Sequence, residues 1–531
     1  MTANLTGGQA IIALIEAHGV DTVFGMPGVH TLELYRGLAG GAIRHIGVRH
    51  EQGAGFMADG YARATGRPGV CLLITGPGVT NAATPIGQAY SDSVPMLVIS
   101  SDNAARDLGM GRGRLHEITD QRAVTAPLTA FSATALDAAE IPNLFARAFA
   151  HFAAARPRPV HISLPIDLLA ATADIDLRPR PRPAPPIPAA EAIAAAAETL
   201  AGARRPVIVV GGGGVDAGAA LLRLAEALGA AVVTTVAAKG VIAADHPLAF
   251  AGALQDAHTR AFVARADALI AVGTELGETD TWVERLELPA RLVRIDIDID
   301  VTQRDYRPEV ALVGDAGAAM NALADALAGR APATGFDPRT LAEEGRQPAP
   351  SGLAARHVKL LDALRAALPD DGMVASDMTQ IAYAGNGYFP CHRPRSWFHP
   401  SGYGTLGYAL PAAIGAKLGA PERAAVALVG DGGFLFTLQE LGTAVEHGVA
   451  LAIVLWNNDG LGEIEAGMVA RDIAPIGVRP RNPDYLALAR AFGARALRPD
   501  SLDGFGQALR DAFAADGPTL IEVREDAPWL D

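Results

Sequence analysis

Two short stretches carry residue types that could do chemistry together. Residues 430–433 read Gly-Asp-Gly-Gly directly after the apolar run 424–429, and residues 457–458 are Asn-Asn directly after the apolar run 449–456. Each polar group therefore stands where a buried strand should end. A helix is expected between them, from about Thr437 to His447 and closed by Gly448. Strand, helix and parallel strand make a βαβ unit, and open α/β sheets take ligands at the carboxyl ends of their strands. Asp431 and Asn458 would converge at that edge. Carboxylate, amide oxygen and backbone carbonyl are the hard oxygen donors that Mg2+ and Ca2+ prefer. Mg2+ usually completes its shell with water and ligand phosphates. Gly430, Gly432 and Gly433 would let backbone N–H groups approach those phosphates near a helix N-terminus. The plainer alternative is a glycine-rich turn with a solvated aspartate, followed by an asparagine pair used for turn chemistry.

The elements that must hold these residues recur along the whole chain. Short apolar runs alternate with longer amphipathic ones: 70–75 and 95–100, then 206–210, 267–273 and 291–298, then 426–430 and 449–456. This pattern indicates α/β architecture, with parallel sheets covered by helices on both faces. Two proline-rich stretches, 178–190 and 329–338, read as linkers, with a further break at 347–352. Three doubly wound parallel-sheet domains are expected, over residues 1–180, 190–330 and 352–531.

The chain has 531 residues, of which 50% are hydrophobic and 19% charged, which describes a globular protein with large cores. The formal charge of −14 argues against general binding to nucleic acid or anionic membrane, though not against a small anion held locally. Cys71 and Cys391 lie far apart with no metal-ligand spacing, so a reducing, cytoplasmic setting is expected. The first residues lack a basic flank and a cleavage pattern, and no apolar run approaches the ~18 residues that span a bilayer.

The pairing of GDG with NN resembles the diphosphate–metal motif of thiamine-diphosphate (ThDP) enzymes. The resemblance implies that the side chains of Asp431 and Asn458 and the carbonyl of Gly460 bind Mg2+, with diphosphate oxygens and water completing the shell. A second match lies far away. Residues 49–69, RHEQGAGFMADGYARATGRPG, resemble the catalytic-glutamate segment of the same superfamily, particularly its acetolactate-synthase-like branch. Glu51 aligns with the glutamate that hydrogen-bonds the aminopyrimidine and so assists removal of the thiazolium proton. In HPSGYGTLGYALPAAIGA, residues 399–416, Leu406 matches the apolar wedge beneath the cofactor, and the Gly404 carbonyl would accept from its amino group. Gln380 matches a diphosphate-side contact. Pro27, Gly462 and Leu461 complete the implied cofactor set. The resemblance covers essentially the whole chain. It implies pyrimidine-binding, central and diphosphate-binding domains, with Glu51 and Asp431 of one site contributed by different subunits. A homodimer at least, and commonly a homotetramer, follows.

The chain departs from acetolactate synthases where substrate should sit. GMPGVHTLEL places Val29 and His30 where the synthases have small residues, and His30 would supply proton transfer suited to a decarboxylase. His116 replaces a glutamine, Ala130 a lysine, Gly467 a bulky tryptophan and Glu463 a methionine. Gln121 and Ile464 are further candidate substrate contacts. Loss of bulk together with gain of Glu463 and Glu465 predicts an enlarged acidic pocket, suited to a long cationic side chain. A helix N-terminal acid stabilised by the dipole is the alternative for Glu463. The strings GVHTLELYRGL, ITGPGVTNAAT and GRGRLHE resemble the 2-ketoarginine decarboxylase family. That resemblance implies loss of CO2 from 5-guanidino-2-oxopentanoate to give 4-guanidinobutanal. The competing expectations are a carboligase of the acetolactate-synthase type and a non-catalytic protein of the same fold. In the central block Gly212, Gly214 and Ala217 fit a dinucleotide-binding pattern loosely, without the following acid. Residues 273–280 carry acids where the synthases use arginines, so no FAD is expected.

Overall fold

The computed structural model describes residues 5–173, 175–345 and 350–531, so the break at 347–352 lies partly outside the described residues. By internal contacts the chain divides into two compact units. One comprises Met1–Ala184, Gly402–Arg498 and Asp511–Val523; the other comprises Pro185–Ser401, Pro499–Arg510 and Arg524–Asp531.

In the first unit, six parallel strands lie in the order Arg44–Gly47, Thr22–Gly25, Gly69–Leu73, Met96–Asp102, Val160–Pro165 and Phe131–Thr134. The runs VCLL and MLVIS are buried at every position, because helices cover both faces of the sheet. The chain leaves Thr22–Gly25 toward one edge and returns beyond it at Gly69–Leu73. The order therefore reverses between these two neighbours, and a crevice opens at their carboxyl ends. The same unit holds Ala425–Gly430 paired in parallel with Ala452–Asn457, then the strands starting at Thr519 and at Arg495. A two-residue antiparallel ribbon joins Leu5–Thr6 to Thr172–Ala173.

One helix contact decides how Glu51 is held. The helix Glu51–Thr65 lies backbone-close against Ala409–Gly419. A Cβ added at Gly60 would run into the Ala412 carbonyl, and one added at Gly415 into the Met57 carbonyl. The crossing is locked by a buried polar cluster. Asp59 accepts from Tyr408 Oη at 2.7 Å and from Arg63 Nε at 2.6 Å, and Arg63 also pairs with Asp92 at 2.7 Å.

The region after Asp431 differs from expectation. Instead of a glycine-rich loop followed by one helix, there are two short helices, Asp431–Thr437 and Glu440–Glu446, and Gly448 (φ +57°) follows the second. Asp431 is thus the first residue of a helix. N–H groups in a first turn have no intrahelical partner, so Gly432 and Gly433 give up no helix hydrogen bond there, and packing outweighs their poor propensity.

The second unit contains a five-stranded parallel sheet in the order Ala231–Thr234, Pro206–Val210, Ala268–Val272, Arg291–Asp296 and Val310–Val313. It also contains Met373–Ser376 paired in parallel with Trp397–Phe398. The three parallel α/β sheet systems expected from the sequence are present. Residues 178–189 have no regular structure, and the next helix begins at Ala190. The glycines at 211–214 form a short 3-10 turn, and a Cβ at Gly213 would meet the backbone of Gly273 at 2.8 Å. Close approach of two strand-end loops accounts for that glycine. Among the described residues no helix is long and apolar enough to cross a membrane.

Candidate active site

The crevice at the strand-order reversal is lined by the two loops that leave its strands. The loop after Gly25 carries Pro27, Val29 and His30. It is clamped by the buried Thr31, whose Oγ1 accepts from Gly28 N at 2.9 Å and donates to Gly28 O at 3.0 Å. Pro27 and Val29 are exposed, and His30 is half-buried. The loop after Leu73 carries Thr75 and Gly76. Thr75 Oγ1 lies 3.0 Å from His30 Nδ1. Burial, and after it the neighbouring His116, lower the basicity of His30 below that of an ordinary imidazole. The rings of His30 and His116 meet edge to face with centroids 5.2 Å apart. His116 adopts a left-handed backbone (φ +61°), and its carbonyl faces Gly76, where a Cβ would collide with it.

Gln121 lies beneath these loops and is buried. Its Oε1 accepts from Gly76 N at 2.7 Å, and its Nε2 lies within donating distance of Ser100 Oγ, Ser101 O and Ser163 Oγ at 2.8–3.1 Å. The amide is fully engaged in holding the Gly76 turn. It acts on the crevice from behind rather than as a substrate contact.

Glu51 opens its helix and is buried; the preceding His50 caps it by accepting from Gln52 N at 3.1 Å. Glu51 Oε2 accepts from Asn81 Nδ2 at 2.9 Å. Behind the start of this helix stands Glu440, fully buried, accepting from the N–H groups of Arg49 and His50 at 3.1 and 2.9 Å and from Thr443 Oγ1 at 2.8 Å. Burial outweighs these donors and pushes its carboxyl up to about 7.

The second cluster gathers at the ends of the strands Ala425–Gly430 and Ala452–Asn457. Asp431 is buried, and its Oδ2 accepts from Asn482 Nδ2 at 2.7 Å, while Tyr485 Oη donates to the Asp431 carbonyl at 3.0 Å. Backbone N–H groups of Gly432 and Gly460 also bond the Asp431 carboxylate, which brings the GDG and NN segments together. Asn457 turns inward to Glu522 (2.8 Å), whereas Asn458 Oδ1 accepts from Gly460 N at 3.2 Å. Leu461 N is anchored on the Val478 carbonyl at 2.9 Å, and Gly462 starts the helix Gly462–Val469. Gly404 (φ +66°) and the half-buried Leu406 precede the helix Ala409–Gly419 in this unit, while Gln380 opens a helix in the other unit.

These residues suit a hard cation. Burial raises the Asp431 carboxyl, and among the described residues no cationic side chain pairs with it. The buried Asn482 Oδ1 beside it has no partner. A buried carboxylate with no cationic partner, beside an unpartnered amide oxygen, suits Mg2+, which takes oxygen donors.

The expected acidic pocket is corrected in part. Glu463 and Ile464 are exposed on the first turn of their helix. Glu465, however, pairs with Arg479 at 2.5 Å, and Arg479 also donates to the Asn458 carbonyl at 2.6 Å. Arg471 Nη1 bonds the Gly467 carbonyl at 3.0 Å, so a guanidinium lies beside the position expected to be open. The charge of Glu465 is therefore matched locally by Arg479.

Sequence reasoning missed Thr75, Asn81, Ser101, Glu440 and Asn482 as site residues. Thr75 and Asn81 flank a Gly-Pro-Gly turn at a strand's carboxyl end, a signal that points to ligand-facing backbone. Nothing local distinguishes Glu440 or Asn482.

Comparison with known proteins agrees with this geometry. Residues 5–124 match the thiamine pyrophosphate enzyme N-terminal TPP binding domain, residues 193–323 the central domain and residues 377–523 the C-terminal TPP binding domain. A probable 2-ketoarginine decarboxylase of Pseudomonas aeruginosa is 54% identical, over 98% of this chain and 94% of its own length. A probable acetolactate synthase large subunit of Methanocaldococcus jannaschii is 32% identical, over 98% and 92%. The acetolactate synthase isozyme 1 large subunit of Escherichia coli is 31% identical, over 98% and 94%. With the glutamate, the GDG aspartate and the asparagine pair all held in place, the chain belongs to the thiamine pyrophosphate enzyme family.

Proposed function

We propose that the protein is a ThDP- and Mg2+-dependent 2-oxo acid decarboxylase that converts 5-guanidino-2-oxopentanoate to 4-guanidinobutanal and CO2. The observation that carries this reading is the histidine pair at the crevice, His30 beside His116, where acetolactate synthases have a small residue and a glutamine. The 54% identity to a probable 2-ketoarginine decarboxylase supports the substrate, against 31–32% to the synthases.

Asp431, Asn458 and the Gly460 carbonyl would hold Mg2+, and the backbone around Gly430, Gly432 and Gly433 would receive the diphosphate. Bound there, the cofactor supplies the electron sink that accepts the pair left when CO2 departs. Glu51, steadied through Oε2 by Asn81, keeps Oε1 for the proton exchanged with the aminopyrimidine. His30 and His116 supply polar hydrogens at the reacting centre. Glu463 is the acid for the guanidinium tail. The three domains are assigned to 1–180, 190–330 and 352–531, and the protein to the cytoplasm. The exposed apolar side chains Val29, Leu32, Met110, Phe436, Ile464 and Ile476 support burial against a second copy, in a homodimer or homotetramer.

The test is CO2 release with ThDP and Mg2+ from 5-guanidino-2-oxopentanoate, pyruvate and benzoylformate. Strong preference for the guanidino acid with aldehyde as product is expected. Preference for pyruvate with acetolactate as product would replace the decarboxylase by a carboligase.

A further inference from the structure

Behind His30 stands a closed chain of two hydroxyl groups. His30 Nδ1 is 3.0 Å from Thr75 Oγ1, and Thr75 Oγ1 is 3.0 Å from Ser101 Oγ. Ser101 Oγ also accepts from the backbone N–H of Thr75 at 3.0 Å. Thr75 and Ser101 are both fully buried. Proton bookkeeping follows from these contacts. Each hydroxyl has one proton to donate. Among the described residues, the only acceptor within reach of the Ser101 hydroxyl is Thr75 Oγ1. If Ser101 donates there, the Thr75 proton must point at His30 Nδ1. The reverse arrangement leaves a buried Ser101 hydroxyl proton unbonded, which is unfavourable.

We infer that Thr75 and Ser101 are positioning residues that lock His30 as a neutral imidazole with its proton on Nε2, presenting a fixed N–H to the oxygens of the 2-oxo acid. This rests on the proposed placement of His30 in the active site and narrows its role there. An imidazolium would need Nδ1 as a donor, which would turn the Thr75 proton back and orphan that of Ser101. The low basicity of His30 agrees with this. His30 therefore serves as a hydrogen-bond donor to a substrate oxygen. Proton delivery to carbon falls to another group, and His116 is the imidazole beside it. Gln121 completes the support by holding the next residue, Gly76, in place.

The test uses the full-length protein without cofactor and reads deuterium exchange at histidine C2 by mass spectrometry across pH, which reports the titration of His30 individually. Ser101→Ala leaves the Thr75 proton with His30 Nδ1 as its sole acceptor among the described residues, so His30 should titrate as in wild type, whereas Thr75→Val removes the proton donated to Nδ1 and should move the titration to higher pH. Thr75→Ser should preserve the wild-type profile, and Thr75→Val should lose it. In the loaded enzyme, Thr75→Val should lower kcat several-fold with KM little changed, most strongly at the acid end of the pH range. An unchanged His30 profile in Thr75→Val, or a raised one in Ser101→Ala, would overturn the inference. If Thr75→Val does not fold, Thr75→Ala reads the same contact. His30→Phe separates the two claims: retained CO2 release would remove His30 from the site, whereas its loss alongside an unchanged exchange profile in Thr75→Val would refute only the locked tautomer.

Discussion

Glu440 lets the stability of the Glu51 helix be tied to pH. Its carboxyl is fully buried against the N–H groups of Arg49 and His50 and is raised from 4.5 to about 7 by burial. A folded-state pKa above the unfolded one means that the folded protein binds this proton more tightly. The contribution is therefore fully present below about pH 4.5 and is lost as pH rises to about 7. At about 1.4 kcal/mol per pH unit, the loss is about 3 kcal/mol. Glu440→Gln keeps the shape and removes the ionisation. Its amide oxygen can still accept from Arg49 and His50, and its NH2 can donate to Thr443 Oγ1, which can turn toward the Gly47 carbonyl at 3.4 Å. The assay compares urea midpoints of wild type and Glu440→Gln from pH 5 to 8, with amide exchange followed across residues 49–57. The variant should match wild type near pH 5 and gain stability relative to it as pH rises, levelling off above pH 7. A variant destabilised equally at every pH would refute the reasoning, because the carboxylate would then be contributing its hydrogen bonds without a burial penalty.

Four further outcomes are expected. Asp431→Ala should abolish Mg2+-dependent ThDP binding in a tryptophan-fluorescence titration; retained affinity would remove Asp431 from the metal site. Asn81→Ala should reduce kcat at least tenfold while ThDP still binds, since Glu51 loses its 2.9 Å anchor; an unchanged kcat would make that contact incidental. Glu463→Ala should raise KM for the guanidino acid and leave pyruvate turnover little changed, and equal effects on both substrates would make Glu463 structural. Gly415→Ala forces a Cβ into the Met57 carbonyl, so a loss of about 1–3 kcal/mol should appear in thermal denaturation; a stable variant would show that the helix contact gives way easily.

Much of this protein was legible in local sequence, and the reason is physical. Uninterrupted apolar runs can be buried only in sheets covered on both faces, so the runs at 70–75, 206–210 and 426–430 announced parallel α/β domains. A lone aspartate between glycines and an asparagine pair one helix and strand later stand at adjoining strand ends by the arithmetic of a βαβ unit. That is why the sequence alone pairs Asp431 with Asn458. What tertiary structure alone decided lies in contacts between segments distant along the chain. His30, Thr75 and His116 meet because the strand order reverses between Thr22–Gly25 and Gly69–Leu73, and no local pattern encodes that order. Glu465 looked like a substrate acid until its pairing with Arg479 showed its charge already spent. Glu440 reads in sequence as an ordinary helix acid; only burial against the start of another helix raises its carboxyl. Residue type and spacing determine which groups are available, while desolvation and partners, which only the folded chain supplies, determine their protonation and their direction.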